Sequence, residues 1–88
     1  MKRTKLAANA AEKKLLSFYP SISQCLPHEH IRYLQNCVGT DIFLWLANGD
    51  GFWFKYVKDD KRYLVGAMLR DGYWNNARID RMKILRYY

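Results

Sequence analysis

The sequence predicts an α+β fold in which two N-terminal helices precede a five-stranded antiparallel small β-barrel or strongly bent sheet. Up to residue 38 the apolar residues recur at helical spacing, whereas beyond residue 39 they follow a period of two between short turns. The second half also holds 11 of the 14 aromatic residues. A chain of 88 residues has room for one domain, so residues 1–38 form its helical part and residues 39–88 its β-barrel part.

The first helix is predicted from Thr4 to about Phe18, a segment rich in helix formers. Its apolar stripe follows helical spacing and consists of Ala7, Ala11, Leu15 and Phe18. Pro20 ends this helix because a proline disfavours the helical conformation of the residue before it. The second helix is predicted from about Pro27 to Cys37, with Gly39 just beyond its end.

We predict five strands beyond Gly39: Asp41–Ala47, Phe52–Lys58, Arg62–Leu69, Tyr73–Ile79 and Met82–Tyr87. The segment Asn48–Gly51 between the first two is a strong hairpin turn. In the first strand both faces are apolar, one with Ile42, Leu44 and Leu46 and the other with Phe43, Trp45 and Ala47. The second face therefore needs a cover, supplied by closure of the sheet, by the helices or by a partner.

The net charge of +7, from 15 basic and 8 acidic residues, favours polyanionic partners. No apolar run approaches the roughly 18 residues that a membrane span needs, so we expect no membrane insertion. If the segment between Cys25 and Cys37 is mostly one helix, the two thiols lie about 18 Å apart, beyond disulfide reach. Reduced thiols and the absence of a secretory signal predict a cytoplasmic protein.

The sequence contains no arrangement typical of catalysis or of cofactor binding, so we predict that the protein is not an enzyme and has no cofactor. The residues that invite a zinc hypothesis are Cys25, His28, His30 and Cys37. Helical geometry opposes it, because His28 and His30 would point to different faces and Cys37 would lie two or more turns away. We therefore predict no metal site.

Basic and aromatic residues alternate along the second to fifth predicted strands, as in small sheets that hold a nucleic-acid backbone and stack its bases. We predict that Trp53, Tyr56 and Trp74 stack bases. The phosphate contacts are assigned to Lys55, Arg62, Arg78, Arg81 and Lys83. The predicted function is non-catalytic binding of nucleic acid, either single-stranded or structured RNA or DNA.

The alternative function is a protein-interaction module, such as an accessory subunit or an inhibitor that docks on a larger nucleoprotein complex. An interaction hot spot could consist of the strands with two apolar faces, Trp53, Trp74 and the segment Leu85–Tyr88, because such sites are rich in Trp, Tyr and Arg. In that case the partner is another protein or a second copy of the chain.

The segment Val38–Gly49, with the sequence V-G-T-D-I-F-L-W-L-A-N-G, leads from a predicted helix into a five-strand meander. In this respect the chain resembles the Sm and Hfq-like small barrels and, more generally, SH3-like barrels. In the Sm family an N-terminal helix precedes a strand that ends in an Asn-Gly or Asp-Gly turn, and Asp60 falls near the Asp of its second long loop. The resemblance implies a small barrel, but Phe54, Leu64 and residues 78–81 depart from the family's uridine pocket, which is not carried over.

Overall fold

The computed structural model describes residues 5–7 and 16–88, which form one seven-stranded antiparallel sheet. The strands are β1 (Lys5–Ala7), β2 (Leu26–Pro27), β3 (Asp41–Leu46), β4 (Gly51–Asp60), β5 (Tyr63–Arg70), β6 (Tyr73–Asp80) and β7 (Ile84–Tyr87). Three 3-10 helices lie at Ile22–Gln24, His28–Cys37 and Arg81–Lys83. Within the described residues there is no α-helix, and no helix is long and apolar enough to cross a membrane.

The strand order is β1-β6-β5-β4-β3-β7-β2. Strands β3 to β6 are joined by successive hairpins, and β7 returns to pair with the other side of β3. The hairpin between β5 and β6 has a two-residue loop, Asp71-Gly72, with φ angles of 52° and 81°. Positive φ at both central residues suits the right-handed twist of paired strands.

The two predicted N-terminal helices are wrong, and with them the predicted fold class. The first was expected from Thr4 to Phe18; Thr4 and residues 8–15 lie outside the described part of the chain, but Lys5–Ala7 is a strand. This strand is antiparallel to β6, with Leu6 opposite Trp74. Pairing with a strand far along the chain outweighs local helix propensity here, since propensity is a weak prior.

The second predicted helix, Pro27–Cys37, is instead a 3-10 helix over His28–Cys37. Its sequence is rich in residues that form α-helices weakly, such as histidine, isoleucine, tyrosine and asparagine. Leu34 is fully buried in the core and Cys37 packs against it, so contact with the sheet positions this segment.

The five strands predicted in residues 39–88 are present, with ends shifted by up to two residues. Their inner face forms the core together with Leu34. The buried core residues on this face are Ile42, Leu44, Phe52, Phe54, Tyr56, Leu64, Ile84 and Tyr87. The predicted opposition of Ile42 and Leu44 to Phe43 and Trp45 is thus confirmed, because the inner face takes the first pair.

The outer face of β3 and β4 is covered by the segment 18–20 of the same chain. The Tyr19 ring packs edge-on against Phe43, with 4.8 Å between ring centroids, and its hydroxyl donates to the carbonyl oxygen of Gly51 at 2.8 Å. Phe43 is fully buried as a result, and Pro20 is buried as well. The second apolar face of β3 thus has a cover within the described chain.

The β4 strand bends at a bulge between Tyr56 and Lys58. Tyr56 lies opposite Gly66 and Lys58 lies opposite Val65, so Val57 is the extra residue of the bulge. A Cβ atom on Gly66 would overlap the backbone carbonyl oxygen of Lys55. Glycine is therefore required where the bulged strand passes close to β5.

Candidate nucleic-acid interface

An open depression of about 640 Å³ lies on the outer face of β4, β5 and β6. The antiparallel register sets its side chains in two cross-strand rows. The first row is Lys55, Ala67 and Asn76, and the second is Val65 and Arg78, with Lys58 opposite Val65 just outside the lining. We call this surface, with Val57, the cationic depression. It has space because small side chains occupy its middle strand while long polar side chains stand on the flanking strands.

Lys55 is held at one side of the cationic depression by two contacts. Its ammonium group lies 3.4 Å from a carboxylate oxygen of Asp41 and 4.5 Å from the centroid of the Trp74 ring. A cation over an aromatic face is attracted by the ring quadrupole. These contacts fix the position of the charge beside the depression.

Arg78 lies on β6, on the other side of β5 from Lys55, and is exposed to solvent. Its guanidinium group lies over the Tyr63 ring, 4.4 Å from the centroid. Within the described residues neither Arg78 nor the exposed Lys58 forms an ion pair. Strands in a sheet are about 4.8 Å apart, so the two cations of this row face each other across roughly 10 Å.

Two residues predicted to stack bases are buried in the structure. Tyr56 is 0% exposed in the core and donates its hydroxyl to a carboxylate oxygen of Asp59 at 2.8 Å. Trp74 is 3% exposed beneath the Lys55 ammonium group. Neither ring has an open face, because the chain itself covers both. They support the cationic depression from within and do not stack a base in this structure.

Three predicted phosphate contacts lie outside the cationic depression: Arg62, Arg81 and Lys83. Arg62 pairs with Asp80 at 3.0 Å, and this hydrogen bond lowers the pKa of the Asp80 carboxyl. Arg81 pairs with Asp59 and donates from Nε to the carbonyl oxygen of Lys61 at 3.0 Å. Both arginines therefore brace the β4–β5 hairpin.

Lys83 lies on the third 3-10 helix and is exposed. It does not line the cationic depression, but it lines a neighbouring pocket together with Arg78. Within the cationic depression the structure therefore brings together two of the five predicted phosphate contacts, Lys55 and Arg78. Their neighbours Lys58 and Asn76 were not among the predicted site residues, although both are basic or polar residues of the same strands.

Trp53 belongs to an aromatic layer on the outer face of β3 and β4. Its indole Nε1 donates to the carbonyl oxygen of Phe18 at 2.9 Å, and its ring lies 5.4 Å from that of Phe43. Two rings of this layer reach solvent more than Trp53 does: Phe18 is 44% exposed and Tyr88 is 48% exposed. Sequence reasoning missed Phe18 because its spacing from Ala11 and Leu15 fits a helix stripe.

Cys25 and Cys37 are free thiols, and burial raises the pKa of each. Both are thus poor nucleophiles at neutral pH. No group of three histidine, cysteine or acidic side chains is placed to hold a metal ion among the described residues. The side chains of His28 and His30 lie outside that description.

Comparisons with protein-family models, curated proteins and solved structures give no match to this chain. The resemblance to Sm-like and SH3-like barrels stays a prediction.

Proposed function

We propose that the protein binds nucleic acid without catalysis, through phosphate contacts in the cationic depression. The observation that carries this proposal is the placement of Lys55 and Arg78 in a shallow surface, with Lys58 beside it on β4; the described residues that line this surface include no carboxylate. Ion pairs and hydrogen bonds from cations to phosphate oxygens are the main source of affinity for nucleic acid.

Among the cations of this surface, Arg78 is the best suited to bind a phosphate group. Its planar guanidinium group presents several N–H donors in a fork that matches phosphate oxygens. The group lies over the Tyr63 ring, 4.4 Å from the centroid, and this contact restricts its position. Such an arrangement lowers the conformational entropy that an arginine loses when it binds an anion.

The distribution of charge supports the same surface. Residues 16–88 include ten basic and seven acidic residues. Four of the acidic side chains form ion pairs: Asp41, Asp50, Asp59 and Asp80. Residues 1–14 carry five basic and one acidic side chain. Strand β1, which belongs to that basic segment, pairs with β6.

Fluorescence anisotropy with a labelled oligonucleotide tests the proposal. We expect affinity to fall as salt rises, and the slope of log K against log salt to become shallower by about 0.7 in Arg78→Gln, the value of one contact to a single strand. Lys61→Gln is the matched control, because it removes the same charge from an exposed residue of the β4–β5 turn that lines neither the depression nor the pocket that Arg78 shares with Lys83. An absence of binding at low salt, or equal slopes for the two variants, would refute the proposed function.

A further inference from the structure

An exposed pair of aromatic rings lies on the same face of the sheet as the cationic depression. The rings are Phe18 and Tyr88, with centroids 5.7 Å apart and planes inclined by 49°. Nearly half of each side chain is exposed, at 44% and 48%. We call these two residues the aromatic pair.

The backbone beneath the aromatic pair is fixed although the rings are exposed. The carbonyl oxygen of Phe18 accepts the indole N–H of Trp53 at 2.9 Å. Tyr88 exchanges two backbone hydrogen bonds with Phe43, at 2.9 and 3.3 Å. Since Phe43 is fully buried, both exposed rings rest on a packed layer, and a ligand that stacks on them has little chain to order.

Strand β4 connects the aromatic pair to the cationic depression. Trp53, whose ring lies 6.5 Å from that of Tyr88, points to the same face as Lys55 two residues later. Alternate residues of a strand are about 6.6 Å apart. Trp53 therefore links the aromatic pair to the cationic depression, and an extended polymer that passes over Trp53 can reach both surfaces.

We propose that the aromatic pair stacks an unpaired base of a strand whose phosphates occupy the cationic depression. This inference rests on the proposed function and narrows the partner to single-stranded nucleic acid. A base exposes its π-face to a protein ring only when it is unstacked from its neighbours, which favours single strands over a duplex. Stacking is tolerant of sequence, because every base has such a face.

The test compares Phe18→Leu and Tyr88→Leu with the unmodified protein, using a labelled single-stranded oligonucleotide, the corresponding duplex and inorganic polyphosphate. Leucine keeps apolar bulk and the backbone hydrogen bonds but removes the ring. We expect each variant to lose about fivefold or more in affinity for the single strand, the value of one stacked base. Affinity for polyphosphate should stay within about twofold, because that probe has charge without bases.

Met82→Ala is the matched control, because Met82 is 71% exposed and lies on the third 3-10 helix, outside both surfaces. Circular dichroism of every variant establishes that it is folded, and the two separate substitutions keep the test decisive if one of them unfolds. Binding of polyphosphate and single strand with unchanged affinity in both leucine variants would overturn the stacking inference and leave the phosphate site standing. Failure of the unmodified protein to bind any polyanion would instead refute the proposed function.

Discussion

Gly66→Ala should destabilise the protein strongly, because the bulged part of β4 passes very close to Gly66. A Cβ at this position would overlap the carbonyl oxygen of Lys55 and lie 3.0 and 3.1 Å from the backbone atoms Lys55 C and Val57 N. All three are backbone atoms, which no side-chain rotation can move. Overpacking costs about 1–3 kcal/mol and more where the surroundings cannot yield, so we expect about 3 kcal/mol. For a domain of this size that lowers Tm by about 12–24 °C.

Thermal and urea denaturation followed by circular dichroism measure this loss. Gly49→Ala is the matched control, because Gly49 has a φ of 91° but a Cβ added there would meet no atom within 4 Å. It should cost about 1–2 kcal/mol from backbone strain alone. If Gly66→Ala costs no more than Gly49→Ala, the close approach at the bulge is not what requires glycine, and the account of the bend in β4 fails.

Two further predictions concern tyrosine hydroxyls. Burial, together with Asp59, raises the pKa of Tyr56 to about 12 from its ordinary value of 10.0. The neutral Tyr56 hydroxyl therefore stabilises the folded state fully below pH 10, and this stabilisation is lost as the pH rises towards 12. Urea denaturation should therefore show Tyr56→Phe less stable by about 1.5–3 kcal/mol at pH 7, with a gap that narrows above pH 10; a constant gap would contradict this. Tyr19→Phe removes the hydrogen bond to Gly51 but keeps the ring, so it should cost about 0.5–1.5 kcal/mol, whereas Tyr63→Phe should cost less.

The strands of residues 39–88 could be predicted because their signals are local. Period-two alternation marks each strand, and Gly49 and Gly72 mark turns that need positive φ. The N-terminal half could not be predicted in the same way. Whether Lys5–Ala7 is helix or strand depends on β6, and no local pattern encodes that pairing.

Part of the candidate site could be predicted from the alternation of inner and outer residues along β4. Tyr56 shares its parity with Phe52 and Phe54, which marks it as a core residue, whereas Trp53 and Lys55 share the opposite parity. This alternation is visible in the sequence. The bulge at Val57 could not be predicted from the sequence, and it is the bulge that places Lys58 on the same face as Lys55.

The two proposed contacts on the outer face respond differently to salt, because one is ionic and the other is not. Phosphate contacts made by Lys55, Lys58 and Arg78 release counterions, so their contribution declines as salt rises. Stacking on Phe18 and Tyr88 involves no net charge. The ratio of affinities between the unmodified protein and Tyr88→Leu should therefore stay constant across a salt series, while both affinities fall together. A ratio that approached one at high salt would mean that Tyr88 acts by positioning charge and not by stacking.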